Sequence, residues 1–166
     1  FSRLRAGTLL ILLVVHSFLL TAYLPLTHDS FYGADGWRHM GYVDSVRYEE
    51  PLIQATLTSA PSIGAHVGTL AYGQFWGLLA IVGRLSDIST ITLIAWFMPL
   101  LWSLLFPFLL YKFGELFGFG EKGRLTLVWL AFIPFALQVA GAFTLPVNLG
   151  LLFWLLNMLF VLSRAR

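Results

Sequence analysis

From Ile88 to Tyr111 the chain carries no charged residue at all, and other stretches of it come close to that. A helix needs about 20 apolar residues to span the hydrocarbon core of a bilayer. Five segments approach or meet that length: Ala6–Leu26, Val67–Leu85, Ile88–Tyr111, Leu125–Phe143 and Leu145–Leu162. In lipid, only helices and closed barrels satisfy their own backbone, and no alternating barrel pattern occurs here. The expected fold is an all-α integral membrane domain over residues 1–166. Composition agrees: 58% of residues are hydrophobic and 11% charged, where a soluble domain carries roughly a quarter charged residues. The basic residues sit at the edges of apolar runs, which is how topology signals are placed, so no nucleic-acid surface is read from them. Cysteine is absent, which excludes disulfides and thiolate metal sites. The first apolar run is too long for a signal-peptide core and no small-residue cleavage site follows it, so it reads as a retained anchor. The chain begins at Phe1 rather than Met and stops at Arg166 just after an apolar run, as a piece of a longer protein would.

Lys and Arg positions decide between topologies. If all five segments span with the N-terminus inside, only Arg3, Arg5 and Arg84 lie inside. If Val67–Leu85 instead lies along the outer interface, Arg3, Arg5, Lys112, Lys122, Arg124, Arg164 and Arg166 lie inside, with Arg38, Arg47 and Arg84 outside. A five-span arrangement with the N-terminus outside distributes the charge equally well, but it puts Arg3 and Arg5 on the wrong flank of the first helix. The preferred reading is therefore about four transmembrane helices, a cytoplasmic N-terminus, and an external or lumenal loop over residues 27–66. Val67–Leu85 fits an interfacial helix, since Gly68, Gly73, Gly77, Gly83, Gln74 and Arg84 make it a poor span.

That loop holds the charge that topology does not explain. Past Asp35, the residues Trp37, Met40, Val43 and Val46 recur at roughly helical spacing, with Arg38, Asp44 and Arg47 elsewhere around the helix. A short amphipathic helix in the interface plane fits, ended by Pro51. Asp35 has two readings: an N-cap, or a carboxylate held at the membrane face with His39 one turn later on the same side. Asp29 is either a solvated loop residue or part of a site. Glu49 and Glu50 read as solvated turn residues. His16 and His66 stand alone and read as packing residues. Gln74, Gln138, Asn148 and Asn157 suit interhelical hydrogen bonds. No acidic or basic residue lies in the middle of the clear spans, which disfavours a channel filter, a proton relay or a transporter.

The pattern resembles the GT-C superfamily of membrane glycosyltransferases, which includes oligosaccharyltransferase catalytic subunits, protein mannosyltransferases and lipid A aminoarabinose transferases. The matching pieces are the first span, then HDSFYGADGWRHM, then the amphipathic helix; AYGQFWGLLAIVGRLSDIST and KFGELFGFGEKGRLTLVWLAFIP look similar to the family's interfacial helix and cytoplasmic turn. The likeness covers nearly the whole chain, but only the N-terminal part of such an enzyme. One departure is that GAFTLPVNLG carries Asn148 and no acid, where several members place one. The resemblance implies sugar transfer from a polyprenyl-phosphate donor at the outer membrane face. Asp29 or Asp35 would act as general base or would hold a divalent cation, with His39 as a further ligand. Arg38, His39 and His28 would contact the substrate phosphate. The implied partners are the bilayer, the lipid-linked donor, and the rest of a longer chain or other membrane subunits. The competing expectation is a noncatalytic membrane subunit or scaffold with the loop as a docking surface.

Overall fold

The computed structural model describes residues 5–28, 34–48 and 72–165, with side chains from position 36 onward in the second stretch. Everything regular in these residues is helical: α1 Ala6–Thr21, α2 Tyr23–Thr27, α3 Ala34–Arg47, α4 Gly73–Ser86, α5 Thr90–Leu116, α6 Glu121–Leu130, α7 Phe135–Ala142 and α8 Pro146–Arg164. Two of them, α5 and α8, are long and apolar enough to cross a membrane, and the bent pair α6–α7 raises the number to three.

Helix α1 has 16 residues. It breaks at Ala22 and resumes as α2, with the amide of Ala22 bonded to Phe18 O at 2.8 Å and that of Leu26 to Ala22 O at 3.0 Å. The break has a cause in the sequence: Pro25 has no N–H to offer the carbonyl four residues earlier, at Thr21. Helix α5 is the axis of the domain and packs against every other described helix. It starts at an N-cap, where Ser89 Oγ accepts the amide of Thr92 at 3.2 Å. Pro99 and Pro107 lie inside it, both buried. Met98, Trp102, Phe106 and Leu109 line its buried face, with the Trp102 and Phe106 rings stacked at 4.5 Å.

The segment Leu125–Phe143 is two helices, α6 and α7, bent by 77°. Pro134 explains the bend. It lacks the donor that would continue α6, and it pushes Ile133 away from helical angles. A carbonyl exposed by the break is satisfied from within, because Gln138 Nε2 donates to Phe132 O at 2.5 Å. Asn148 Nδ2 does the same for Phe143 O at 2.8 Å, where α7 ends. These amides thus mend the backbone on either side of α7, in place of the interhelical bonds expected of them.

Small residues let this broken helix approach its neighbours. Ala140, Gly141 and Ala142 of α7 are buried, as are Ser17 and Thr21 of α1. A Cβ on Gly141 would fall against Thr21 Cγ2 and within 2.6 Å of Trp102 Cδ1. Met98 N bonds to Thr144 Oγ1 at 3.1 Å, while Trp102 meets Gly141, so α7 runs antiparallel to α5. Leu101, Leu105 and Leu109 face the stretch Leu149–Leu156, and Lys112 and Leu116 face Leu159–Ser163, so α8 runs parallel to α5. His16 meets Phe132 and Thr21 meets Gly141, so α1 follows the direction of α6 and α7. The start of α1, the α5–α6 turn and the end of α8 therefore share one end of the bundle. The start of α5, with α3 and α4 packed on it, lies at the other.

Candidate functional site

The polar corner of the domain is where α3 lies across α4 and the first turn of α5. Its helices differ in detail from the sequence expectation. The buried residues of α3 are His39, Val43 and Ser45, with Met40, Tyr42 and Val46 half-buried beside them. Trp37, expected on the apolar face, is 47% exposed. The face is set by what it meets. Phe75, Trp76 and Leu79 of α4 are buried against it, so the aromatic partners, and not apolar spacing, select which residues turn inward.

His39 is the centre of this contact and only 8% exposed. Trp76 Nε1 donates to His39 Nδ1 at 3.0 Å, and the rings of Tyr72 and Phe75 stand edge-on to the imidazole at 6.3 and 5.9 Å. Tyr42 stacks on the Trp76 ring at 4.2 Å. An indole N–H donates and never accepts, so Nδ1 must be the acceptor. In the neutral ring, Nε2 then carries the proton and is a donor. Among the described residues, no cluster of His, Asp and Glu is arranged to hold a metal ion.

A second polar group joins α3 to the α4–α5 corner. Thr90 Oγ1 donates to Asp44 Oδ1, and Arg47 Nη1 donates to Ile88 O at 2.6 Å and to Thr90 Oγ1 at 3.4 Å. Gly83 makes room for that guanidinium, since a Cβ there would lie 3.0 Å from Arg47 Nη1. Arg84 Nε donates to Arg47 O at 2.8 Å, and Arg84 Nη2 also reaches the carbonyls of Arg47 and Val46. These are the last carbonyls of α3, which no intrahelical donor satisfies. Arg84 is thus the C-cap of α3. The helix runs to Arg47; Pro51, expected to end it, lies outside the described residues. The corner itself turns on Asp87, at φ 56°, a left-handed position that Asp accepts more readily than most residues.

One consequence can be measured. Arg84→Ala should release the end of α3 and leave the bundle folded. Amide exchange at Val46–Tyr48 should quicken several-fold, in keeping with about 1 kcal/mol for charged hydrogen bonds discounted for exposure. Unchanged exchange would show that α3 is held by Trp76 and Val43 alone.

The expected site residues fall as follows. Asp29, Glu49, Glu50 and His66 lie outside the described residues. Helix α3 begins at Ala34, so Asp35 is its second residue and not its N-cap; its side chain lies outside the described set. Position 35 and His39 are one turn apart on α3. Arg38 and His28 are exposed, the latter at the end of α2 with its amide bonded to Leu24 O at 3.0 Å. Sequence reasoning missed Trp76 and the Arg84 cap. The aromatic cluster Tyr72–Trp76 was the available signal, but nothing in sequence says that it meets His39. Comparison with family models, with curated proteins and with solved structures returns no match.

Proposed function

We propose that this chain is the membrane module of a glycosyltransferase of the GT-C type, which moves a sugar from a polyprenyl-phosphate carrier to an acceptor at the outer membrane face. In this reading the four crossings are α1 with α2, α5, the bent α6–α7 pair, and α8. The end bearing Arg5, Lys112, Lys122, Arg124 and Arg164 is cytoplasmic, and the α3–α4 corner is external. Such a distribution follows the preference of basic residues for the inner side. Helix α4 has 14 residues. It rises about 21 Å, against a hydrocarbon core of about 30 Å, which suits an interfacial helix better than a span.

The observation that supports the reading is the packed α3–α4 corner, where Trp76 Nε1 donates to His39 Nδ1, at the end of the bundle opposite Lys112 and Arg124, with position 35 one turn before His39 on the same helix. Asp29 or Asp35 takes the proton as the acceptor atom bonds to the anomeric carbon. The bond from that carbon to the phosphate oxygen breaks, and polyprenyl phosphate leaves with the electron pair. Arg38 and His28 neutralise phosphate charge. If a divalent cation takes part, Asp29, Asp35 and His39 are the residues that would hold it.

The test is transfer itself. The full-length protein in liposomes is given polyprenyl-phosphate hexose or aminosugar donors and membrane acceptors, and protein-dependent release of polyprenyl phosphate is followed. Release supports the reading; none with any donor replaces it with a docking subunit. Topology is checked separately by labelling cysteines placed at 35 and 122, which are expected to react from opposite sides. Labelling from one side would sink the four-crossing arrangement.

A further inference from the structure

The seam between α5 and α8 is open along much of its length. Near its middle, Leu105, Leu109, Leu152 and Leu156 border a narrow apolar cavity of about 120 Å³. Leu156 also borders a second, wider cavity of about 470 Å³, which runs on past Leu159 to Lys112, Glu115 and Ser163. From Leu101 to Leu116 the seam follows α5 for about 22 Å at the helical rise, more than the depth of one leaflet of the hydrocarbon core. The part near Leu105 is purely apolar, and the end at Lys112 and Glu115 is charged. Lys112 Nζ reaches Glu115 Oε2 at 2.8 Å, which engages one of three ammonium donors. Arg124 Nη1 stands 3.8 Å from the same carboxylate oxygen. Arg164 holds its guanidinium 4.3 Å over the ring of Phe160, which lines the cavity. Lys112 and Arg124 flank the one carboxylate, and with Arg164 at Phe160 the mouth is net positive.

We infer that the α5–α8 seam is a binding slot for one anionic glycerophospholipid, with an acyl chain along the leucines and the phosphate between Lys112 and Arg164. Charge order supports this occupant over a protein helix. A lipid of the adjoining leaflet brings a negative phosphate at one end and bare hydrocarbon at the other, in the order in which the slot presents cations and leucines. A packed helix needs no cations at one end of its groove, and it prefers small residues where the backbones approach, yet Leu101, Leu105, Leu109 and Leu156 are large. The inference needs the chain to lie in a bilayer and does not depend on the transferase reading.

Native mass spectrometry tests it, with the full protein released from nanodiscs of equal phosphatidylglycerol and phosphatidylcholine. Wild type is expected to keep one phosphatidylglycerol. In the Lys112→Ala/Arg164→Ala double variant, the preference over phosphatidylcholine should fall about tenfold or more, the scale of two basic contacts to a headgroup. Leu156→Trp, which fills the slot where the two cavities meet, should lose the retained lipid of either kind; a thermal midpoint equal to wild type certifies its fold. Equal retention of both lipids by wild type would overturn the inference, as would a preference unmoved in the double variant. Disulfide cross-linking between copies through a cysteine at position 153 would also overturn it, by showing that protein covers the seam.

Discussion

Asp35→Asn in the full-length protein is expected to abolish sugar transfer, by about 10²–10⁴-fold if the carboxylate is the general base, with no loss of folded protein. The same is expected of Asp29→Asn if that residue carries the chemistry. The substitution is chosen because it separates charge from fold. Helix α3 begins at Ala34, so Asp35 lies in its first turn. A negative charge there stabilises the helix by about 0.3–1 kcal/mol at most. The remainder of α3 is held by His39, Val43 and the Arg84 cap, none of which the change touches. Loss of that small helix term cannot unfold the bundle, whereas in the proposed reading loss of the charge removes proton transfer or cation binding. Release of polyprenyl phosphate gives the activity and thermal unfolding gives the fold. Full activity in both single variants would move the reading to a noncatalytic subunit whose loop is a docking surface.

Gly141→Ala carries the largest expected effect on stability. The added Cβ would meet Thr21 Cγ2 and lie 2.6 and 2.8 Å from two atoms of the Trp102 indole. Neither neighbour has room to give way, since Trp102 is 1% and Thr21 2% exposed. Overpacking of this kind costs typically 1–3 kcal/mol. The cost should appear as a lower thermal midpoint in detergent or nanodiscs. Gly150→Ala is the control. It lies within α8 with open space where its Cβ would stand. Replacing a helical glycine there should be neutral, or should stabilise by up to about 1 kcal/mol. Equal behaviour of the two variants would show that the α1–α5–α7 contact can relax. That contact also matters for the site, because α5 carries both the Gly141 seam and, at its first turn, the Thr90 hydroxyl that holds Asp44 of α3.

Much of the architecture follows from composition. Apolar runs too long and too poor in charge for a soluble core dictate helices suited to a bilayer, because lipid offers the backbone no hydrogen bonds. Local covalent rules also act within the sequence, although Ala6–Leu26 and Leu125–Phe143 each read there as one unbroken segment. Pro25, Pro134 and Pro146 mark a break, a bend and a helix start, since each lacks a donor and restricts its neighbour. Ser89 begins α5 for an equally local reason. That the segment after Asp35 is helical was legible as well, but not which face it buries. Spacing put Trp37 inside and left His39 undecided, whereas contact with Trp76 buries His39 and leaves Trp37 out.

What only the tertiary structure decided involves partners far apart in the chain. The indole that fixes the proton of His39 comes from 37 positions away, as does the arginine that caps α3. Read alone, Arg84 looked like a flaw in a membrane span; folded, it completes the hydrogen bonding of another helix. Gln138 and Asn148 looked like links between helices and instead satisfy carbonyls exposed around the Pro134 bend and the end of α7. The physical reason is the same in each case. Apolar periodicity and proline geometry act within one turn and are written in neighbouring residues. A buried donor must instead find an acceptor wherever the packed helices put one, and that position exists only once the bundle has formed.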